Sequence, residues 1–192
     1  MALEYLEVPY ELLRTAPHAK LAYKHNPFGR IPTLIHDEFV VNETLAIRIY
    51  IDHMFSGKAR TLTPADFSTI LAIGQWISMA SDYAFRGLVH GICKPRMAME
   101  GKGVSEQEIR ESLKDAVAQG KAVAAGDQTF LAGKSLTWAD LFLFPIFSDL
   151  CSMPERALVQ EEAPRLYAWY ERVVRLDIAR ITHNGTVAAA RL

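Results

Sequence analysis

The sequence predicts an α/β region followed by an all-helical one, and three observations carry that reading. Short strand-like apolar runs, YELL, PTLI and EFVV, fall within the first 56 residues and alternate with longer polar stretches. A break rich in turn-forming and basic residues, SGKARTLTP, covers residues 56–64. Beyond it the apolar positions recur at helical rather than alternating spacing.

Within the front region, Leu3 and Leu6 suit the last turn of an opening helix, which Val8-Pro9 then stops because proline restricts the residue before it and lacks an N–H. Tyr10 should enter a strand. The runs YELL and PTLI are separated by APHAKLAYKHNPFGR, and EFVV leads into ETLAIRIYIDHMF, whose spacing suits a helix.

After the break, Thr63 can cap a helix that carries Pro64 at its first position, where a missing N–H costs nothing. Ile70, Gly74, Ile77, Ser81, Ala84 and Leu88 then mark one apolar or small face. Ser105 and Glu108 form a capping box for the next helix, which buries Ile109, Leu113, Ala116, Val117, Gly120 and Val123. These two helices pair most economically as antiparallel neighbours. Thr137 and Asp140 form a second capping box, with Leu136 as its hydrophobic staple. The run ADLFLFPIFSDL is apolar around most of its circumference, as expected of a central helix that Pro145 bends. Pro164 starts a last strong helix with Leu166, Tyr167, Tyr170, Val173 and Val174 as packing positions.

Length and composition narrow the function classes. A chain of 192 residues holds one sizeable domain or two small ones. With 50% hydrophobic and 22% charged residues it is globular, and a formal net charge of −1 gives no general reason to seek nucleic acid or an anionic membrane. The mildly basic stretch His18, Lys20, Lys24, His25 and Arg30 around Tyr23 reads as a solvated cleft edge. The longest aromatic run, LFLFPIF, is far short of the roughly 20 residues that span a bilayer. Cys93 and Cys151 form no C-x-x-C pair, which fits a reducing, cytoplasmic setting without a structural zinc site. The histidines form no H-E-x-x-H motif, and NPFGR lacks the glycines and Lys-Ser/Thr ending of phosphate loops, so neither metal nor nucleotide chemistry is expected.

Five segments, ALEYLEVPYELL, NPFGRIPTLI, NETLAIRIYI, FLAGKSLTWADLFLFP and APRLYAWYERV, resemble the glutathione transferase family in the family's own order over nearly the whole chain. The resemblance implies a thioredoxin-like, glutathione-binding domain over 1–56 and an all-helical domain over 63–192, assembled as a homodimer. It implies that Ile31-Pro32 is the cis-proline junction, where the Ile31 backbone pairs with the cysteinyl backbone of glutathione. Glu43-Thr44 resembles the acid-hydroxyl pair that receives the γ-glutamyl end, with Glu43 on its ammonium and Thr44 with helix-start N–H groups on its carboxylate. Arg30 is the candidate for the glycyl carboxylate, and Tyr83 for the electrophile pocket of the helical domain. Each feature also has an ordinary reading: a rigid turn, a helix terminus, a solvated charge and a packing ring.

The departure from the family pattern lies at the front. Met1-Ala2-Leu3 already resembles the later part of the family's first helix, so the first strand and the segment carrying a sulfur-activating Ser, Tyr or Cys find no matching residues. No catalytic residue is assigned, and the expectation is a thioredoxin-like domain with a truncated N-terminus. In an intact member the activated glutathione thiolate attacks an electrophilic carbon or exchanges with a thiol partner. The expectation is therefore a transferase with glutathione as cosubstrate and no metal. Its alternative is a catalytically impaired binding or interaction module.

Overall fold

The computed structural model describes residues 1–57, 60–120, 129–184 and 186–191. The chain divides into two compact units, Ala2–Leu62 and Thr63–Leu192.

The front unit opens with a short helix α1 (Ala2–Tyr5), closed by a turn in which Glu7 takes a positive φ of 57°. Arg60 ties this opening to the end of the unit: its guanidinium donates to the Tyr5 carbonyl at 2.9 Å and pairs with Glu7 at 2.8 Å. Helix α2 (Lys20–His25) follows, then strand β1 (Thr33–His36), a two-residue turn, strand β2 (Phe39–Asn42) and helix α3 (Thr44–Phe55). The strands pair antiparallel from Thr33↔Asn42 to His36↔Phe39. Asp37 takes the positive φ that such a tight hairpin turn requires. Ile47 and Ile51, one helical turn apart, form the buried stripe of α3. At the far end of the hairpin His36, Phe39, Tyr50 and Phe55 cluster with ring centroids 5.3–6.4 Å apart, and His36 Nδ1 shares a 2.7 Å hydrogen bond with the Tyr50 hydroxyl.

One expected strand is missing. YELL is irregular chain with Leu12 and Leu13 exposed. A strand exists by virtue of its ladder, and among the described residues β1 pairs with β2 alone. Conversely, α2 arises inside the stretch read as a connection, where only Ala22 is buried and the helical apolar pattern is correspondingly weak.

The second unit is helical. Helix α4 (Phe67–Met79) continues without a break into a π-helical stretch, Ala80–Cys93, and then α5 (Lys94–Glu100). Helix α6 (Glu106–Gly120) packs on the π stretch. Helix α7 (Trp138–Cys151) is the centre of the unit, touching α4, the π stretch and α9 (Pro164–Val173). Helices α8 (Arg156–Glu162), α10 (Asp177–His183) and α11 (Val187–Arg191) complete it.

Two readings of this unit need correction. The cap of α4 is Asp66, whose carboxylate accepts from Thr69 N–H and the Ser68 hydroxyl at 2.9 and 2.8 Å, so the helix starts beyond Thr63 and Pro64. The buried face consists of Ile73, Trp76, Ile77, Ala80, Ala84, Leu88, Val89, Ile92 and Cys93, while Ile70, Gly74 and Ser81 are exposed. Ile70 and Gly74 precede the π stretch and lie on the exposed side of α4, whereas within Ala80–Cys93 an i→i+5 pattern rotates successive side chains less than an α-helix does. Phe85 and His90, five apart, accordingly meet with centroids at 5.1 Å.

Both capping boxes form around their acids. Ser105 N–H donates to Glu108 at 3.2 Å and Glu108 N–H to the Ser105 hydroxyl at 3.4 Å, while Thr137 N–H donates to Asp140 at 2.8 Å. Ile109 and Leu113 are buried as expected. Val123 and the side chains of Val117 and Gly120 lie outside the described residues. Helix α7 runs through Pro145, whose ring faces outward.

Arg96, fully buried, is the polar centre of the unit. Its Nε and Nη2 both donate to Glu155 Oε1 (2.8 and 2.6 Å), its two Nη atoms to Glu106 (2.9 and 3.1 Å), and Nη1 also to Glu100 (3.2 Å). Fork-shaped, charge-assisted bonds of this kind repay a buried charge only when every donor is used.

Candidate functional site

The loop between α2 and β1 is built on Asn26, which is 1% exposed. Its side-chain oxygen accepts from Phe28 N–H at 2.9 Å, its amide donates to the Arg30 carbonyl at 3.2 Å, and its own carbonyl accepts from Gly29 N–H at 2.8 Å. Gly29 has φ +60°, which glycine adopts without strain, and a Cβ there would stand 2.7 Å from the Tyr23 ring, which would have to shift to admit it. His18 N–H caps the Gly29 carbonyl at 2.7 Å. This clamp delivers Arg30 and Ile31 to the surface, followed by a cis Ile31–Pro32 bond. Among the described residues, the Ile31 backbone N–H and carbonyl have no backbone partner.

The other half of the site follows β2. Asn42 accepts from the Thr33 hydroxyl at 2.8 Å and donates to the His25 carbonyl at 3.3 Å, tying strand end, strand start and α2 together. Glu43 then adopts φ 67° and ψ 127°, a sparsely populated conformation for a residue with a Cβ. Its carbonyl accepts the first bond of α3, from Ile47 N–H at 2.9 Å, whereas its exposed carboxylate makes no capping bond. The N–H groups of Thr44, Leu45 and Ala46 precede that first bond and so point out of the helix start.

Register brings the halves together. Thr33↔Asn42 is the terminal pair of the hairpin, so Arg30, Ile31 and Pro32, just before it, and Glu43 and Thr44, just after it, emerge at the same end. That end offers an exposed cation, a backbone edge, a carboxylate and a positive helix start. Such a set suits a ligand carrying an ammonium, carboxylates and a peptide backbone. Tyr83 belongs to the other unit, on the π stretch, and is 71% exposed. Asn26 and Asn42, which hold the loop and the strand ends, were not singled out from sequence. The Asn-Pro turn signal marks Asn26, but Asn42 carries no local signal.

Other reactive groups sit elsewhere. Cys93 and Cys151 are buried, and burial pushes both thiols up to about 12, which removes them as nucleophiles in this conformation. Among the described residues no cluster of three or more His, Cys, Asp or Glu side chains could hold a metal ion, and no helix is long and apolar enough to cross a membrane.

The sequence matches the family described as Glutathione S-transferase, C-terminal domain, over residues 77–177, and the Glutathione S-transferase, N-terminal domain, over residues 1–54. The chain belongs to the glutathione S-transferase family. A probable glutathione S-transferase GSTU1 of Oryza sativa subsp. indica is 31% identical over 187 residues, 92% of this chain and 78% of that protein. Glutathione S-transferase F6 of Arabidopsis thaliana is 31% identical over 179 residues, 88% of this chain and 84% of that protein. Among solved structures, glutathione transferase F7 from Populus trichocarpa superposes with a TM-score of 0.77 at 21% identity, covering 99% of this chain and 90% of that one. The family's architecture, a thioredoxin-like domain followed by an all-helical one, is that of this chain, and family membership is consistent with glutathione-dependent chemistry.

Proposed function

We propose that the chain binds glutathione at the hairpin end of the front unit and uses it as cosubstrate toward a small electrophile or a thiol partner. The observation that carries this reading is the Thr33↔Asn42 register, which sets Arg30, Ile31 and Pro32 beside Glu43 and Thr44. Ile31 offers N–H and C=O to the cysteinyl backbone. Glu43 pairs with the γ-glutamyl ammonium, the Thr44 hydroxyl and helix-start N–H groups receive its carboxylate, and Arg30 meets the glycyl carboxylate. The unusual Glu43 backbone supports a functional role, because strain of this kind collects at ligand clamps.

In this reading residues 1–56 are the glutathione-binding domain and 63–192 the helical domain, with Tyr83 contributing to the electrophile pocket. The protein is a cytoplasmic homodimer that uses no metal. The chemistry is formation of a glutathione thiolate and its attack on carbon or sulfur. None of the matched residues is assigned sulfur activation, and Tyr5, Tyr10 and Tyr23 lie outside the family's early catalytic segment.

Calorimetric titration tests the binding claim: saturable glutathione uptake that weakens about tenfold in Glu43→Gln and Thr44→Ala is expected. A folded protein that takes up no glutathione overturns it. Turnover with 1-chloro-2,4-dinitrobenzene, compared with a polypeptide extended into its upstream reading frame, then separates the two roles. Binding without turnover in both forms favours the impaired binding module, whereas activity restored by extension assigns sulfur activation to residues upstream of Met1.

A further inference from the structure

One side chain grips both ends of the loop that carries Arg30 and Ile31. Asn42, the last residue of β2, donates from its amide nitrogen to the carbonyl of His25, which ends α2, at 3.3 Å. Its amide oxygen accepts from the hydroxyl of Thr33, which opens β1, at 2.8 Å. A backbone carbonyl only accepts, so His25 fixes the orientation of the amide and leaves its oxygen for Thr33. Residues 26–32 thus leave and re-enter the fold at two points held by the same group, and Glu43 is the next residue along from that group.

The backbone does not supply this hold. The two-residue turn makes His36↔Phe39 a hydrogen-bonded pair, so by alternation Thr33↔Asn42 is a pair whose members share no backbone hydrogen bond with each other. Their side chains join them instead. Glu43 follows with its φ of 67°, so the direction in which it leaves the strand is set at Asn42. We propose that Asn42 is a positioning residue for glutathione: its amide ties the ends of the 26–32 loop to the end of β2, so that Arg30 and Ile31 on one side and Glu43 and Thr44 on the other meet one ligand at a fixed separation. This inference rests on the glutathione reading above and adds to it a residue that does not touch the ligand. The amide makes its bonds within the protein and acts through the groups on either side of it.

The test is calorimetric titration of the full chain with glutathione, with the folding of every variant checked by circular dichroism. In the wild type, Arg30→Gln and Glu43→Gln should each weaken binding about tenfold and together about a hundredfold, because both sides hold the ligand at once. Asn42→Ala should itself weaken binding about tenfold. In its background, adding either substitution alone should cost under about twofold, since a ligand no longer gripped from both sides gains little from the second. A residue that only stabilised the fold would leave those two costs at their wild-type size in folded protein. Should Asn42→Ala not fold, Thr33→Val, which keeps the side-chain shape and removes one of the two bonds, takes its place with the same expected shrinkage. Costs that stay about tenfold without the Asn42 bonds, or that fall on one side alone in the wild type, overturn the proposal and leave the glutathione reading standing. Absence of saturable uptake by the folded wild type overturns the reading itself, and this proposal with it.

Discussion

Of the acidic residues at helix starts in this molecule, two do opposite work. Asp140, at the start of α7, is 0% exposed and accepts from Leu131 N–H, Thr137 N–H and hydroxyl, and Trp169 Nε1, all within 3.0 Å. Glu43, at the start of α3, is exposed, sits in a left-handed backbone conformation and caps nothing. The first carboxylate is consumed by the fold. The second is held in place by the backbone and left free for something outside the protein. A helix start by itself therefore says little; whether its carboxylate is already satisfied separates architecture from recognition.

The largest effect that could break this contrast comes from the buried charges. Replacing Arg96 by Ala leaves Glu155 buried without its cation, which should cost about 3–5 kcal/mol in urea unfolding. A loss under 1 kcal/mol would mean that water replaces the guanidinium. Asp140→Ala strands several buried donors and should cost about 2–4 kcal/mol, with any loss of glutathione affinity proportional to the unfolded fraction. An affinity defect in fully folded D140A would erase the distinction drawn above.

Glu43→Gln should invert that pattern, changing unfolding free energy by less than about 0.5 kcal/mol while removing about 1.4 kcal/mol of glutathione binding. Glu43→Gly sharpens it further. Glycine accepts the φ of 67° freely, so the fold should gain up to about 1 kcal/mol even as binding weakens.

The smallest predicted effect is seen in acid. Arg96, first, and then Arg110 hold the Glu106 carboxyl down to about 2, below its ordinary range. A depressed folded value adds stability above the ordinary carboxylate range, and that stability is lost as pH falls from about 4.5 toward 2. Glu106→Gln should flatten the acid limb of a stability-versus-pH curve, and an unchanged slope would show that the pair is silent.

Much of the front unit was legible because its signals are local. The two strand runs and the helix from Thr44 are each set by a few neighbouring residues, and the observed hairpin and α3 follow them, whereas the cis Ile31–Pro32 bond was expected from the family resemblance. The capping boxes at Ser105 and Thr137 are local in the same sense. Other features were hidden for definite reasons. Thr63 and Asp66 are both good caps, and only the competition among neighbouring N–H groups chose Asp66. Ile70, Gly74 and Ser81 fit a period of 3.6, but packing buried Ile73, Trp76 and Ile77 on α4 instead, and beyond Ala80 the π winding departs from that period. Arg96 and Glu155 lie 59 positions apart, beyond any local pattern.

The amino-acid sequence by itself determined the two hairpin strands, the helix from Thr44 and the capping boxes at Ser105 and Thr137, and that a cation, a proline turn and an acid-hydroxyl pair stand in an order that suits a peptide ligand. Tertiary structure alone decided which of those groups remained unsatisfied. Hydrogen-bond donors arrive from distant segments, as Trp169 does at Asp140, and strand register sets Pro32 beside Glu43. Local sequence fixes backbone preferences, whereas satisfaction of a polar group depends on long-range partners that only packing assembles.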